Sequence, residues 1–295
     1  MKNNNDKFKG LGVAIITPFK ENGEVDFQSL ERLVENLIDN KVDYLLALGT
    51  TSEYPTMTGA ETADVLRCIA AVNDRRLPLL VGIGGPDTRT VLNRVEQADK
   101  LPADAILSVS PYYNKPTQRG LIAHYTAIAE HSPLPVLLYN VPGRTSCNIQ
   151  AQTTLQIAET CPNVIGIKEA SGNMEQILYL LHHKPRNFSV ISGDDLLAFP
   201  LMAAGLDGLI SVIANAFPDE MSNMMHLAME NQFIKARLYY DRLFDVLQAC
   251  FKEGNPCGIK CILNAQGKIK NVLRLPLVPV SPELQNEIVH LVAGR

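Results

Sequence analysis

The stretch VIGIKEASGN, residues 164–173, carries a lysine near the end of an otherwise apolar run. Val164, Ile165 and Ile167 are β-branched and suit a strand covered on both faces. Ala170, Ser171 and Gly172 are small residues that let the chain turn, and Asn173 stands where a helix N-cap belongs. The stretch therefore reads as a buried strand that ends, turns and enters a helix. Lys168 and Glu169 fall at the strand's last positions, where an ammonium ion is costly to bury.

The same β-then-α unit recurs along the chain. Strand candidates are LGVAIITPF (11–19), YLLALGTT (44–51), PLLVGIGG (78–85) and DAILSVSPYY (104–113). PVLLYNVP (135–142), VIGIKEAS (164–171), FSVISGDD (188–195) and GLISVIAN (208–215) continue the series. Their near-continuous apolar character fits parallel strands. Between them, DFQSLERLVENLID (26–39) places Phe27, Leu30, Leu33, Val34, Leu37 and Ile38 on one helical face. Thr58 and Glu61 have capping-box spacing, and Asp87 and Asn173 stand at N-cap positions. Eight such units predict an α/β fold, a (β/α)8 TIM barrel over residues 1–215. A doubly wound sheet, which needs fewer strands, is the alternative. Residues 216–295 show no strand pattern, and EMSNMMHLAMENQ and FIKARLYYDRLFDVLQACF predict a C-terminal helical extension. Met221, Met224, Met225 and Met229 repeat at helical spacing, as packing residues do.

The bulk composition narrows the possible partners. A chain of 295 residues with 46% hydrophobic and 20% charged residues supports a large core. The net charge of −4, with no basic block, argues against nucleic acid and against an anionic membrane surface. No run spans a bilayer, and the first apolar stretch is broken by Pro18, so a cytoplasmic enzyme is expected. Six cysteines form no Cys-x-x-Cys pair, and the six histidines make no metal-binding pattern. GIGGPD lacks the dinucleotide-binding spacing, and no phosphate-binding loop or nucleophile-elbow motif occurs. Neither a metal nor a cofactor is expected.

In a barrel the chemistry gathers at the C-terminal ends of the strands. Those ends hold Thr50, Thr51 and Glu53, then Tyr112 and Tyr113, then Tyr139, Asn140 and Arg144. Lys168 and Glu169 follow, then Gly193, Asp194 and Asp195. Desolvation disfavours a charged amine, and a neutral amine attacks carbonyls to form a Schiff base. The competing reading of Lys168 is a side chain that snorkels to solvent. A Schiff-base reaction needs a proton shuttle, for which Tyr139 is a candidate, with Thr50 and Tyr113 as further hydroxyls. The Thr50–Thr51 pair offers donors to a keto-acid carboxylate, and the fork of Arg144 suits a second carboxylate. Singly, the tyrosines also suit packing roles, and Arg144 a surface loop.

LGTTSEYPTMT (48–58), SPYYNKPTQRG (110–120), LYNVPGRTS (138–146), GIKEASG (166–172), SGDD (192–195), GLISVIAN (208–215) and NPCGIK (255–260) occur in barrel order. As a set they resemble the dihydrodipicolinate synthase family, within the N-acetylneuraminate lyase superfamily, from about residue 8 onward. The resemblance implies a lyase that condenses pyruvate with L-aspartate 4-semialdehyde, toward diaminopimelate and lysine. It implies that Lys168 forms the Schiff base with pyruvate and that Tyr139 moves protons with Thr50 and Tyr113. Thr51 and Ile210 would contact pyruvate, Arg144 would bind the carboxylate of the aldehyde, and Gly193 joins the substrate-binding set. In the family the tyrosine matching Tyr113 reaches a neighbouring subunit's site, so the resemblance implies a dimer as the catalytic minimum, and a homotetramer built as a dimer of dimers is the family's usual form.

N-acetylneuraminate lyases typically read Gly-Ser-Thr at the second strand and lack the arginine after the fifth, so Gly49-Thr50-Thr51 and Arg144 favour the synthase. A sister keto-acid aldolase and a non-catalytic pyruvate-binding barrel are the alternatives. Two departures stand out. Ser52 replaces a common glycine, and Gly59, Thr62, Pro86 and Thr90 occupy positions that hold histidines, asparagine and glutamate in lysine-inhibited members. Of that pocket only Tyr112 matches, so weak or absent feedback by lysine is expected.

Overall fold

The computed structural model describes residues 7–294; the polar residues 1–6 and the terminal Arg295 lie outside the described residues. The eight strands are β1 (Gly10–Ala14), β2 (Tyr44–Ala47), β3 (Leu79–Gly82), β4 (Ala105–Val109), β5 (Val136–Asn140), β6 (Val164–Glu169), β7 (Ser189–Ser192) and β8 (Gly208–Ser211). The helices among them are α1 (Phe27–Asp39), α2 (Gly59–Asn73), α3 (Thr88–Val95), α4 (Gln118–His131), the single turn α5 (Pro142–Thr145), α6 (Ala151–Thr160), α7 (Met174–His183) and α8 (Asp195–Met202). After β8 come only helices among the described residues: α9 (Pro218–Met229), α10 (Phe233–Phe251), α11 (Cys257–Ala265) and α12 (Pro282–Ala293), with a short 3-10 turn before them. The strands close into one barrel in sequence order, β1 to β8, and every register given is parallel. This is the (β/α)8 barrel with a helical C-terminal part that the sequence predicts, and not a doubly wound sheet.

The strands are shorter than the apolar runs that announce them. Regular pairing stops where the chain must turn, so Thr50–Ser52 form a 3-10 turn beyond β2 instead of lengthening it. The helix starts are set by side chains. Thr58 and Glu61 complete a reciprocal capping box on α2, and Asp87 and Asn173 cap α3 and α7. On α1 the residues Leu30, Leu33, Val34 and Leu37 are buried, whereas Phe27 is exposed.

The chain divides into two compact units, Met1–Gly10 with Pro78–Ile210, and Leu11–Leu77 with Ser211–Arg295. The first holds β3 to β7 and nearly all of β8. Its parallel register runs from Leu80↔Ala105 to Ser192↔Leu209 and shifts once, between Val136 and Leu137. The second unit joins β1 and β2 to α9–α12. There Gly12 faces Tyr44, and a Cβ on Gly12 would lie 2.1 Å from the tyrosine ring, so the large ring is accommodated by the absent side chain. Asn215 ties this unit together: its Oδ1 accepts from Ile16 N–H at 3.2 Å and its Nδ2 donates to Ala14 O at 2.8 Å. Met221, Met224 and Met225 are fully buried, as packing residues are.

Candidate active site

In the first unit, Tyr139 and Lys168 are direct register partners on β5 and β6. Both are buried, and Lys168 Nζ lies 4.5 Å from the centroid of the Tyr139 ring. Among the described residues no carboxylate pairs with this ammonium, so the ring face is its electrostatic partner. The strand ladder fixes the backbone of both residues, and Gly193, just past β7, leaves room for the lysine stem. A Cβ on Gly193 would lie 2.7 Å from Lys168 Cε and 2.7 Å from Ala170 Cβ. That close approach explains why a glycine follows Ser192.

The other residues singled out in this unit are placed differently. Ile210 is fully buried on β8. Arg144 is exposed on α5, in the segment that leaves β5. Tyr113 is 94% exposed, with φ 72°, a left-handed conformation that costs a non-glycine residue energy. No hydrogen bond joins the Tyr113 and Tyr139 hydroxyls. His124 is buried, with Nδ1 2.9 Å from Thr88 Oγ1, and burial pushes its pKa down to about 4, so near neutral pH it is an uncharged packing residue.

In the second unit, Thr50 and Thr51 sit on the 3-10 turn after β2, which ends at Glu53 with φ 56°. Asn255 Nδ2 donates to Thr51 Oγ1 at 2.9 Å, which orients that hydroxyl. The buried Glu53 carboxylate accepts from Arg274 N–H at 3.0 Å and forms an ion pair with Lys260. Lys260 is completely buried on α11; its Nζ donates to Val272 O at 3.0 Å and lies 4.1 Å from the Phe19 ring centroid. Burial lowers the Lys260 pKa to about 8, opposed by the attraction of Glu53. Arg274 also grips Glu61, whose pKa falls to about 2 through that hydrogen bond.

The sequence pointed to Thr50, Thr51 and Glu53 as strand-end residues, but not to Asn255 as the group that holds Thr51, nor to Lys260 and Arg274 as those that hold Glu53. Their one signal was NPCGIK, which entered only as a motif. Lys260 looks like the solvent position of a helix, and only the fold shows that it is not.

Among the described residues, no group of three or more histidine, cysteine or acidic side chains is assembled to hold a metal ion, and no helix is long and apolar enough to cross a membrane.

The sequence profile of the Dihydrodipicolinate synthetase family matches residues 7–294. The 4-hydroxy-tetrahydrodipicolinate synthase of Porphyromonas gingivalis is 48% identical over 276 residues, covering 93% of each chain. The enzyme of the same name from Parabacteroides distasonis is 48% identical over 271 residues, 92% of this chain and 91% of its own. The crystal structure of dihydrodipicolinate synthase from Thermotoga maritima superposes with a TM-score of 0.95 at 40% identity, covering 98% of both chains. A match along nearly the whole chain, in sequence and in fold, has one meaning: this chain belongs to the dihydrodipicolinate synthetase family.

Proposed function

We propose that Lys168 is the amine of a Schiff-base lyase that condenses pyruvate with L-aspartate 4-semialdehyde to 4-hydroxy-tetrahydrodipicolinate, the reaction of diaminopimelate and lysine biosynthesis. The activity is that of the relatives' shared name. The observation that carries the assignment within this chain is the buried Lys168 ammonium, set beside the Tyr139 ring and left without a carboxylate partner.

The neutral amine of Lys168 attacks the ketone carbon of pyruvate, and loss of water gives an iminium. Loss of a methyl proton then gives an enamine, whose carbon attacks the aldehyde. The acceptor's own amine closes the ring onto the iminium carbon and releases Lys168, with one water lost overall. Tyr139 gives and takes the protons of these steps, relayed by Thr50 and Tyr113. Thr51 binds the pyruvate carboxylate, its hydroxyl oriented by Asn255, while Ile210 and Gly193 shape the site around pyruvate and the lysine stem. Arg144 holds the acceptor carboxylate through its planar fork.

The exposure of Tyr113 on strained backbone supports a relay completed by a second copy of the chain, in a homotetramer built as a dimer of dimers. Residues 1–215 form the catalytic barrel and residues 216–295 its helical extension, in a cytoplasmic enzyme that uses neither metal nor cofactor. Feedback by lysine is weak or absent. The hydroxyls of Thr62 and Thr90 are turned back onto Thr58 O at 2.9 Å and Asp87 Oδ2 at 2.6 Å, so they offer little to a ligand.

The test is the initial rate of pyruvate consumption by purified protein, with and without L-aspartate 4-semialdehyde. Rapid aldehyde-dependent consumption, unchanged by added L-lysine, is expected. Consumption with a sugar aldehyde instead would move the chain to a sister aldolase, and none with any acceptor would leave a binding barrel.

A further inference from the structure

One step beyond the Tyr139–Lys168 pair, the next register pair on β5 and β6 is Asn140 and Glu169, joined through their side chains at 3.0 and 3.3 Å. Glu169 is 1% exposed, and among the described residues no lysine or arginine pairs with it. A buried carboxylate without a cation needs N–H donors in its place. Ser171 N–H donates to Oε1 at 2.7 Å, and Gln176 Nε2, from the first turn of α7, donates to Oε2 at 2.9 Å.

The same side chains hold both ends of one loop. Asn140 Oδ1 accepts from Ile149 N–H at 2.9 Å, and Asn140 Nδ2 donates to Asn148 Oδ1 at 2.8 Å. Asn148 Nδ2 donates to Gln176 Oε1 at 2.9 Å, while Gln176 Nε2 also reaches Asn148 Oδ1 and Ile149 O, each at 3.3 Å. The segment that leaves β5 at Asn140, forms α5 and returns at Asn148 therefore starts and finishes on one hydrogen-bonded cluster. Arg144 is carried midway along it. Lys168, by contrast, is held by backbone pairing to both neighbouring strands and makes no hydrogen bond to this cluster.

We propose that Asn140, Asn148, Glu169 and Gln176 form a positioning network that sets the Arg144 segment, and so governs the grip on the acceptor's carboxylate separately from Schiff-base formation at Lys168. The inference rests on the assignment of Lys168 to pyruvate and of Arg144 to the acceptor. Gln176 and Asn148 are only half-buried, so the outer end of the network can be cut while the strand ladder stays intact.

The experiment compares the wild type with Gln176→Met, Asn148→Ala and Arg144→Ala. Steady-state rates are measured with each substrate varied, and the pyruvate adduct is trapped with borohydride and read by intact mass. For Gln176→Met and Asn148→Ala, KM for the aldehyde should rise about tenfold, because the first removes a hydrogen bond to the Glu169 carboxylate and the second removes those to Asn140 and Gln176 that anchor the far end of the loop. KM for pyruvate and the trapping yield should stay within about twofold, a split that loosening of the whole fold would not give. If Arg144→Ala raises the aldehyde KM while both network variants leave it unchanged, the network proposal fails and the Arg144 assignment survives. A parallel rise in both KM values would also overturn it. If the wild type traps no pyruvate, or Arg144→Ala changes nothing, the functional assignment falls and the network proposal with it.

Discussion

Among the described residues two lysines are buried, one in each compact unit, and they are treated in opposite ways. Lys260 is given a carboxylate from Glu53, a carbonyl from Val272 and the face of Phe19. Among the described residues Lys168 is given the face of Tyr139 and no carboxylate. A buried ion pair ties segments together, since breaking it strands a charge in a poor solvent. A buried amine with no carboxylate beside it has no ion pair to give up before it attacks a carbonyl, which is the role proposed for Lys168. Burial alone therefore does not separate the two lysines; what separates them is the carboxylate that Lys260 has and Lys168 lacks.

The largest expected effect that tests this contrast is on turnover. Lys168→Ala should reduce aldehyde-dependent pyruvate consumption by at least about a thousandfold while the protein keeps its fold. Steady-state assay together with circular dichroism checks both halves; a variant that remains active would erase the distinction between the two lysines. Next in size is stability. Lys260→Met should cost about 3–5 kcal/mol in denaturant unfolding, because Glu53 is left buried and unpaired, and Glu53→Gln combined with Lys260→Met should recover much of that loss. Equal losses in the single and double variants would show that Lys260 matters for packing and not for charge.

The smallest effect is on pH dependence. The pKa of Lys260 is lowered from 10.5 to about 8 on folding, so between those values the unfolded chain holds a proton that the folded one has released. Stability then rises with pH across that window and is lost as pH falls through about 8. Denaturation curves of the wild type, taken relative to the double variant, should diverge upward above about pH 8. A flat difference would mean that the folded and unfolded chains bind this proton equally.

Much of the fold was legible because it is local. Continuous β-branched runs, amphipathic helices and capping residues such as Thr58 with Glu61 are written within a few positions of one another. Strand limits were overextended, as at Thr50–Ser52, because an apolar residue stays apolar whether it pairs in a ladder or packs in a turn. Of the candidate site, Tyr139 and Lys168 stood out in the sequence, since a lysine or tyrosine at a strand end is out of character there. Its supports did not. Gln176 and Asn148 are ordinary surface-type amides in sequence, and their meaning depends on the buried Glu169 and Asn140 that they reach in the fold.

The sequence by itself determined the succession of eight strands, the helices that follow them, and the identity of Lys168, Tyr139 and Arg144 as chemically unusual for their places. Those are matters of short-range pattern and side-chain chemistry. Only the tertiary structure decided which buried lysine has a counter-ion and why Gly193 must lack a side chain. Each of these depends on residues far apart in the chain meeting at a few ångströms, where packing and electrostatics act and sequence distance has no meaning.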